Sequence, residues 1–125
     1  MSKCVSELLL ELQMYDQVSD DFRLHILKVV VDADGEVEQQ DQAIPVTRLE
    51  IDAEDKECLL HYGDHSGQAL TLAAITAQLT EAEQDYELCA SEEKLVDGNL
   101  LRYDTPLIGF GENTEINVFF AVCQV

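Results

Sequence analysis

The sequence predicts an α+β fold, a mostly antiparallel sheet with two helices in the order α-β-β-β-α-β-β-β, as a single domain over residues 1–125. Two Asp-Gly pairs, at 34–35 and 97–98, stand between strand-like segments and indicate β-hairpins. Residues 116–125 are apolar on both faces of a strand, which is typical of a central strand. Helical spacing of apolar residues occurs in two places, so most strands are joined without a crossover helix and should run antiparallel.

The two predicted helices differ in how much apolar surface they carry. The first spans about 3–15, where apolar residues share one face at helical spacing. Leu10 and Met14 widen that face, and we expect them to form the interface of a homodimer. The second spans about 70–81 with Thr71 as a candidate cap, although part of this segment also alternates like a strand.

The remaining apolar patterns predict strands separated by polar turns. We expect Ile116, Val118, Phe120 and Val122 of the last strand to be almost wholly buried. The other predicted segments are strands at 22–31, from Pro45 onwards, at 57–62 and at 84–90, a hairpin at 94–101, a short edge segment at 106–108 and a turn-rich loop at 109–113.

The charge of the chain restricts its partners. It contains 26 Asp and Glu against 7 Lys and Arg, a formal net charge of −19. This argues against nucleic acid and anionic membranes, because phosphate contacts need Lys and Arg. A basic protein partner, a cationic ligand or simple solubility remain open. Self-repulsion should also lower stability, so added salt is expected to raise it.

The cysteines and the apolar runs indicate a cytoplasmic protein. No signal peptide is expected, because the first residues carry acid within their apolar stretch. No apolar run approaches the roughly 20 residues of a membrane span. The four cysteines are widely spaced and form no CxxC, so we expect reduced thiols that act as small core residues.

Acidic residues recur at alternate positions, which on strands places carboxylates along one face. We expect a broad negative surface, either a solvated sheet face or a platform for a basic partner that imitates nucleic acid. The candidate acidic binding face consists of Glu50, Asp52, Glu54, Glu81, Glu83, Asp85 and Glu87.

Three segments contain residue types that could support catalysis or metal binding. Cys58 and His61 are three apart on a predicted strand and therefore point to opposite faces, so they form no dyad. His61 and His65 offer two imidazoles for zinc or nickel, but surface histidines beside a turn are the favoured interpretation. Residues 32–37 resemble part of an EF-hand calcium loop, yet the first and last ligand positions fall on Val30 and Asp41, which favours a plain hairpin.

The sequence therefore predicts no catalytic, cofactor-binding or metal-binding residues, and we expect no cofactor. In size, acidity and the order of an apolar helix before a strand group, the chain resembles type III secretion chaperones, which implies a dimer that holds a secreted partner. The first hypothesis is a non-enzymatic acidic binding protein with a protein partner. The alternatives are a module for a small cationic ligand, or an enzyme that uses buried carboxylates or the His61–His65 loop.

Overall fold

The computed structural model describes residues 3–15, 21–40, 43–63, 68–81 and 83–124. Over these residues the two predicted helices and a strand-rich sheet are confirmed. The sheet is mixed, and four described strands, not three, precede the second helix. The elements are α1 (Val5–Gln13), β1 (Arg23–Val31), β2 (Val37–Gln40), β3 (Ile44–Asp52), β4 (Glu57–Tyr62), α2 (Leu72–Leu79), β5 (Glu87–Val96), β6 (Asn99–Asn113) and β7 (Val118–Gln124).

The sheet closes on itself. Five ladders are antiparallel: β1 with β2, β1 with β3, β3 with β4, β5 with β6, and β6 with β7. Two are parallel, β4 with β5 and β7 with β1. The last pairing joins the end of the chain to the first strand, so β1 and β3 to β7 form a continuous ring of hydrogen-bonded strands.

The two halves of the ring follow one plan. In the second half, β6 pairs with β5 along its first part and with β7 along its second part. In the first half two strands take the place of β6: β2 and the start of β3 pair with β1, and the rest of β3 pairs with β4. The residue before each helix N-cap bonds to the opposite half: the Leu70 N–H donates to the Val46 carbonyl (2.9 Å) and the Lys3 N–H to the Leu107 carbonyl (3.0 Å). The topology is therefore pseudo-twofold without a visible repeat in sequence.

One face of the strands, the inner face, builds the core with both helices. Leu8 of α1 and Ile75 of α2 are fully buried in the same cluster as Leu60 and Phe119 of the strands. Helix α2 begins where predicted, because the Thr71 hydroxyl accepts a hydrogen bond from the backbone N–H three residues later (3.1 Å). The face turned away from the helices is called the outer face below.

The last strand has the central position that was predicted, with β6 on one side and β1 on the other. The predicted burial was partly wrong. Val118 is buried, but Phe120 and Val122 lie on the outer face and are only partly covered, while Phe119 on the inner face is fully buried. Ile116 is 62% exposed, because it lies in the turn before the strand. Both faces of this strand are apolar, so the pattern did not reveal which face the helices cover.

The two Asp-Gly pairs form different turns. Asp97 (φ 52°) and Gly98 (φ 80°) both have positive φ, as a two-residue type I′ turn requires. In the first hairpin only Gly35 has positive φ, and the connection spans residues 32–36. There Asp32 Oδ1 accepts hydrogen bonds from two backbone N–H groups, at 2.9 and 3.0 Å. The first hairpin is thus confirmed with a longer turn; Asp41, the last position of the calcium alternative, lies outside the described residues.

Two strand predictions in the second half were wrong. Residues 83–86 lie in a connection, and β5 begins at Glu87 instead of 84. Residues 106–113, predicted as an edge segment and a loop, belong to the 15-residue strand β6. Pairing with β7 holds Gly109 and Gly111 in the ladder and overrides their weak strand propensity.

Candidate functional site

Four carboxylates lie together on the outer face of three neighbouring strands. The ladders place Asp52 of β3 opposite Glu57 of β4, and Glu57 opposite Glu87 of β5. Glu50 lies on the same face of β3, opposite Leu59. Neighbouring strands lie about 4.7–4.9 Å apart, so directly opposed side chains on one face are close together. These residues, Glu50, Asp52, Glu57 and Glu87, are called the carboxylate row.

The carboxylate row contains part of the predicted acidic face. The structure brings Glu50, Asp52 and Glu87 onto one face. Glu57 was missed, although its place before the apolar strand residues was visible in the sequence. The other predicted acids are elsewhere: Glu54 lies in the turn between β3 and β4. The last three, Glu81, Glu83 and Asp85, lie in the connection from α2 to β5, where they line a separate open depression with Thr80 and Gln84.

A buried thiol adjoins the row. Cys89 Sγ lies 3.1 Å from Glu57 Oε2 and 3.5 Å from Glu87 Oε1, and donates its proton towards these carboxylates. Burial, followed by the two carboxylates, raises the pKa of the Cys89 thiol far above its usual range. The three ligand atoms lie within 4.8 Å of one another, so this group is where a divalent cation would find converging ligands. A cation would first have to displace the thiol proton.

On the same face, towards the C-terminal end of β4, His61 contacts two charged side chains. His61 is buried, and its Nε2 lies 2.9 Å from Glu50 Oε1. Arg48 Nη2 lies 3.4 Å from His61 Nδ1. Because a guanidinium only donates hydrogen bonds, Nδ1 accepts here and Nε2 carries the proton donated to Glu50. Arg48 Nη1 also lies 3.7 Å from Glu50 Oε1, so the three side chains form one polar group.

Ser91 lies opposite His61 on β5, which brings a serine, a histidine and a glutamate onto one face. Ser91 is fully buried, and its Oγ has no hydrogen-bond partner within the part of the chain that the structure describes. A nucleophile must contact its base and reach the substrate, and Ser91 does neither. Cys58 lies on the inner face, away from His61 as predicted, and His65 lies outside the described residues.

A cleft of about 350 Å³ opens at the C-terminal ends of β4 and β5. Leu95 and Leu100, cross-strand neighbours of the β5–β6 hairpin, form one wall and are 74% and 66% exposed. Arg48 on β3 forms part of the other wall, with 59% of its side chain exposed. The cleft is lined by Thr47, Arg48, His61, Tyr62, Gly63, Leu95 and Leu100.

Beside the cleft, β5 extends beyond its neighbour. The β4–β5 ladder ends at the pair Tyr62 and Glu92, and Gly63 follows with φ 105°. Strand β5 continues to Val96, and within the described ranges residues 93–96 pair with β6. This extension is called the β5–β6 ribbon, residues 93–103. Five large apolar side chains are exposed on it: Leu95, Val96, Leu100, Leu101 and Tyr103.

An ion pair on the inner face joins strands on opposite sides of the ring. Lys28 Nζ lies 3.0 and 3.2 Å from the two carboxylate oxygens of Glu92 and 5.3 Å from the ring centre of Tyr62. Lys94 Nζ lies 3.3 Å from the same carboxylate. Burial, with the charge of Glu92, raises the pKa of Tyr62. These groups satisfy one another and serve the structure of the ring.

The predicted dimer residues are exposed on α1. Leu10 is 64% and Met14 74% exposed, whereas Leu8 and Leu12 of the same helix are buried. The helix therefore has apolar surface beyond what the core uses. Whether another chain covers it stays a prediction.

The comparisons with known proteins identify no relative. No protein-family model matches the chain, and no curated protein and no solved structure matches it significantly. Within the described ranges, neither helix has the length and apolar character needed to cross a membrane. The resemblance to type III secretion chaperones thus rests on composition and element order alone, and the structure ends in strand β7.

Proposed function

We propose that this chain is a non-enzymatic, acidic binding protein of the cytoplasm, whose partner is a basic protein held on the outer face of β3, β4 and β5. The supporting observation is that an acidic and an apolar surface share these strands. The carboxylate row lies at one end and the cleft at the other. From Glu57 to His61 is four residues of β4, or about 13 Å. The partner therefore presents an apolar anchor with Lys or Arg roughly that distance away.

The reactive groups support a binding role over catalysis. The Ser91 hydroxyl is buried and not bonded to His61. Burial raises the pKa of the Cys58 thiol to about 12 and that of Cys89 still further, so neither supplies a thiolate nucleophile near neutral pH. The four cysteines are free thiols, which fits a reducing compartment such as the cytoplasm.

The proposal is tested by affinity capture from a lysate of the native cell, with the captured proteins identified by mass spectrometry. The variant carries Asp52→Asn, Glu57→Gln and Glu87→Gln, substitutions that leave one acceptor oxygen on each side chain. We expect it to lose the basic proteins that the natural chain retains, because their Lys and Arg no longer meet carboxylates.

The matched control removes the same number of charges from the first hairpin, through Asp34→Asn, Glu36→Gln and Glu38→Gln, all exposed side chains. The control should retain the captured proteins. Equal loss in both variants would mean that net charge alone attracts them. Retention by both would remove the carboxylate row from binding.

A homodimer through α1 is a separate part of the proposal, supported by the exposed Leu10 and Met14. Like charge opposes contact between copies, so an apolar interface should survive high salt. Light scattering at micromolar concentration should give a dimer mass for the natural chain and a monomer for Leu10→Asp with Met14→Asp. A monomer mass for the natural chain at both low and high salt would contradict this part.

A further inference from the structure

We infer that the β5–β6 ribbon of one copy covers helix α1 of a second copy, so that two equivalent ribbon–helix contacts hold the homodimer. This inference rests on the dimer in the proposed function and names the surface that covers Leu10 and Met14. A two-fold axis relates the two contacts, because whatever the first copy's ribbon touches on the second copy is touched in return.

The ribbon carries apolar side chains on both of its faces. Leu95 and Leu100 lie on the outer face, where they line the cleft. Lys94, Leu101 and Tyr103 project to the reverse face, with Lys94 directly opposite Leu101 and 5.7 Å from the ring centre of Tyr103. Leu101 is 40% and Tyr103 48% exposed, and neither lines the cleft. The reverse face of the ribbon is therefore a second apolar surface, separate from the one proposed for the basic partner.

Helix α1 offers a surface of matching shape. Leu10 and Met14 are four residues apart, so they lie on the same side of the helix. A groove of about 220 Å³ opens beside Leu10 and gives room for an apolar side chain such as Leu101 of the other copy. The flexible thioether of Met14 adapts to an irregular surface. The groove is lined by Ser6, Leu9, Leu10, Gln13 and Gln84.

The distribution of charge favours a second copy as the occupant. Ribbon residues 93–103 contain two of the 7 Lys and Arg and two of the 26 Asp and Glu, so their net charge is zero. Residues 3–15 contain one Lys and two Glu, a net charge of −1. The other residues therefore carry −18 of the total of −19. Two copies repel each other least where these two surfaces meet.

The signs of the charges favour ribbon against helix over helix against helix. Glu7 and Glu11 lie within one turn of Leu10, and Glu11 is three residues before Met14. Lys94 of the ribbon is 53% exposed and contacts the Glu92 carboxylate of its own chain at 3.3 Å. An ammonium group has three donors, so Lys94 can also bond an acid of α1. Contact between two α1 helices would instead oppose Glu with Glu.

The positions of the two surfaces fit a two-fold arrangement. Helix α1 starts beside the beginning of β5, where the Val5 N–H donates to the Tyr86 carbonyl (3.0 Å). The ribbon lies at the other end of β5, and the seven residues from Glu87 to Lys94 span about 23 Å. Two copies that run in opposite directions therefore place the ribbon of each at the helix of the other.

A ribbon variant with Leu101→Thr and Tyr103→Thr tests the contact, because threonine keeps the strand propensity and removes the apolar surface. Light scattering at micromolar concentration should give a monomer mass. The matched control carries Leu95→Thr and Leu100→Thr on the outer face of the same ribbon, where both side chains are more exposed. The control should keep the dimer mass. Circular dichroism checks that each variant is folded.

Mixing two monomeric variants separates the ribbon–helix contact from a helix–helix contact. The α1 variant, Leu10→Asp with Met14→Asp, keeps its ribbon, and the ribbon variant keeps its helix. The mixture therefore retains one of the two contacts, and native mass spectrometry should find a mixed dimer. We expect it to be at least about tenfold weaker than the natural dimer. A helix–helix dimer would gain nothing from the mixing.

Hydrogen exchange provides a measurement that needs no change in the ribbon. Residues 99–103 should exchange more slowly in the natural dimer than in the α1 variant, although the substituted residues lie on the helix. Equal exchange of the ribbon in both would overturn the inference. So would a ribbon variant that keeps the dimer mass, an outer-face control that becomes a monomer, or a mixture that stays monomeric.

These results are distinguishable from failure of the proposed function. A monomer mass for the natural chain contradicts the dimer itself. A dimer that the α1 variant abolishes and the ribbon variant leaves intact removes only the ribbon from the interface.

Discussion

The two parallel junctions of the ring have the same geometry and opposite chemistry. At the β4–β5 junction, Glu57 lies opposite Glu87 and His61 opposite Ser91. At the equivalent positions of the β7–β1 junction, Val118 lies opposite Arg23 and Val122 opposite Leu27. The outer side chains at the first junction are mostly ionisable or polar: Glu57, His61, Glu87, Cys89 and Ser91. Those at the second are mostly apolar: Val118, Phe120, Val122, Leu27 and Val29.

The comparison shows which side chains the fold needs and which it does not. Both junctions supply the inner face with apolar residues, so the core does not need the carboxylates. Lys28 and Glu92 occupy equivalent positions in the two halves, yet they carry opposite charges and pair with each other. The asymmetry of the outer faces is therefore where we place the binding role.

The largest expected effect is a difference in stability between truncations on the inner and the outer face of β7. Truncating Phe119, which is fully buried, to Ala should lower the free energy of unfolding by about 3–5 kcal/mol. Phe120→Ala should cost less than about 2 kcal/mol, because its ring is partly exposed on the outer face. Urea denaturation measures both. Equal losses would mean that the outer face of the β7–β1 junction is core as well.

The next effect concerns the ion pair between the halves. Lys28→Met leaves the Glu92 carboxylate without its closest cation. Because both side chains are about 15% exposed, we expect a loss of about 1–3 kcal/mol, below the about 3–5 kcal/mol of a fully buried pair. The double variant with Glu92→Leu should recover most of it in thermal and urea unfolding. A double variant as unstable as Lys28→Met would show that the pair is not coupled.

One titratable group at each junction should respond to the opposite end of the pH scale from the other. Burial raises the thiol pKa of Cys89, so this group stabilises the fold below about pH 9, the range of an unfolded thiol, and the contribution is lost as pH rises above that. His25, its equivalent in β1, has a pKa lowered from 6.5 by burial. Its contribution is present above about pH 6.5 and is lost as pH falls.

Unfolding free energies measured across pH test this contrast. Cys89→Ser should make the decline above about pH 9 shallower and leave the acid side unchanged, because serine does not ionise there. Part of the alkaline decline should remain, because burial also raises the pKa of the Cys58 and Cys123 thiols. His25→Gln should flatten the decline on the acid side only. The same pH profile for both variants and the natural chain would show that other groups govern the pH dependence.

The smallest effect comes from repulsion within the carboxylate row. Glu57→Gln keeps an acceptor for Cys89 and removes a charge that lies between Asp52 and Glu87. We expect a gain of about 0.2–1 kcal/mol at low salt, which fades as sodium chloride screens the charges. Asp34→Asn on the exposed turn is the control and should change little. A loss of stability with Glu57→Gln would mean that this carboxylate has a stabilising partner.

Local patterns were sufficient for some of the fold. Asp97-Gly98 predicted its type I′ turn, because both residues tolerate the positive φ that the turn needs. The strand 57–62 and the α2 helix were also predicted from spacing. For the other Asp-Gly pair the hairpin was predicted correctly but the two-residue turn was wrong. The Asp32 carboxylate accepts hydrogen bonds from the backbone and stabilises a longer turn.

The carboxylate row depends on pairing between strands that are far apart in the sequence. The spacing of apolar residues along the chain does not reveal this pairing. Nothing near Glu57 in the sequence indicates that Glu87 lies opposite it in a parallel ladder. The alternation of Glu81, Glu83 and Asp85 resembled a strand, but the chain there is a connection without a neighbouring strand. Which acids form a surface is decided by the register of the closed sheet.

Carbodiimide crosslinking of the captured basic partner tests the central claim most directly, because it joins a lysine to a carboxylate that it already contacts. We predict that mass spectrometry will find the crosslinks on the carboxylate row, Glu50, Asp52, Glu57 and Glu87. The exposed acids of the first hairpin, such as Asp34 and Glu36, should carry few. Crosslinks spread over all exposed acids in proportion to their exposure would contradict a dedicated binding face.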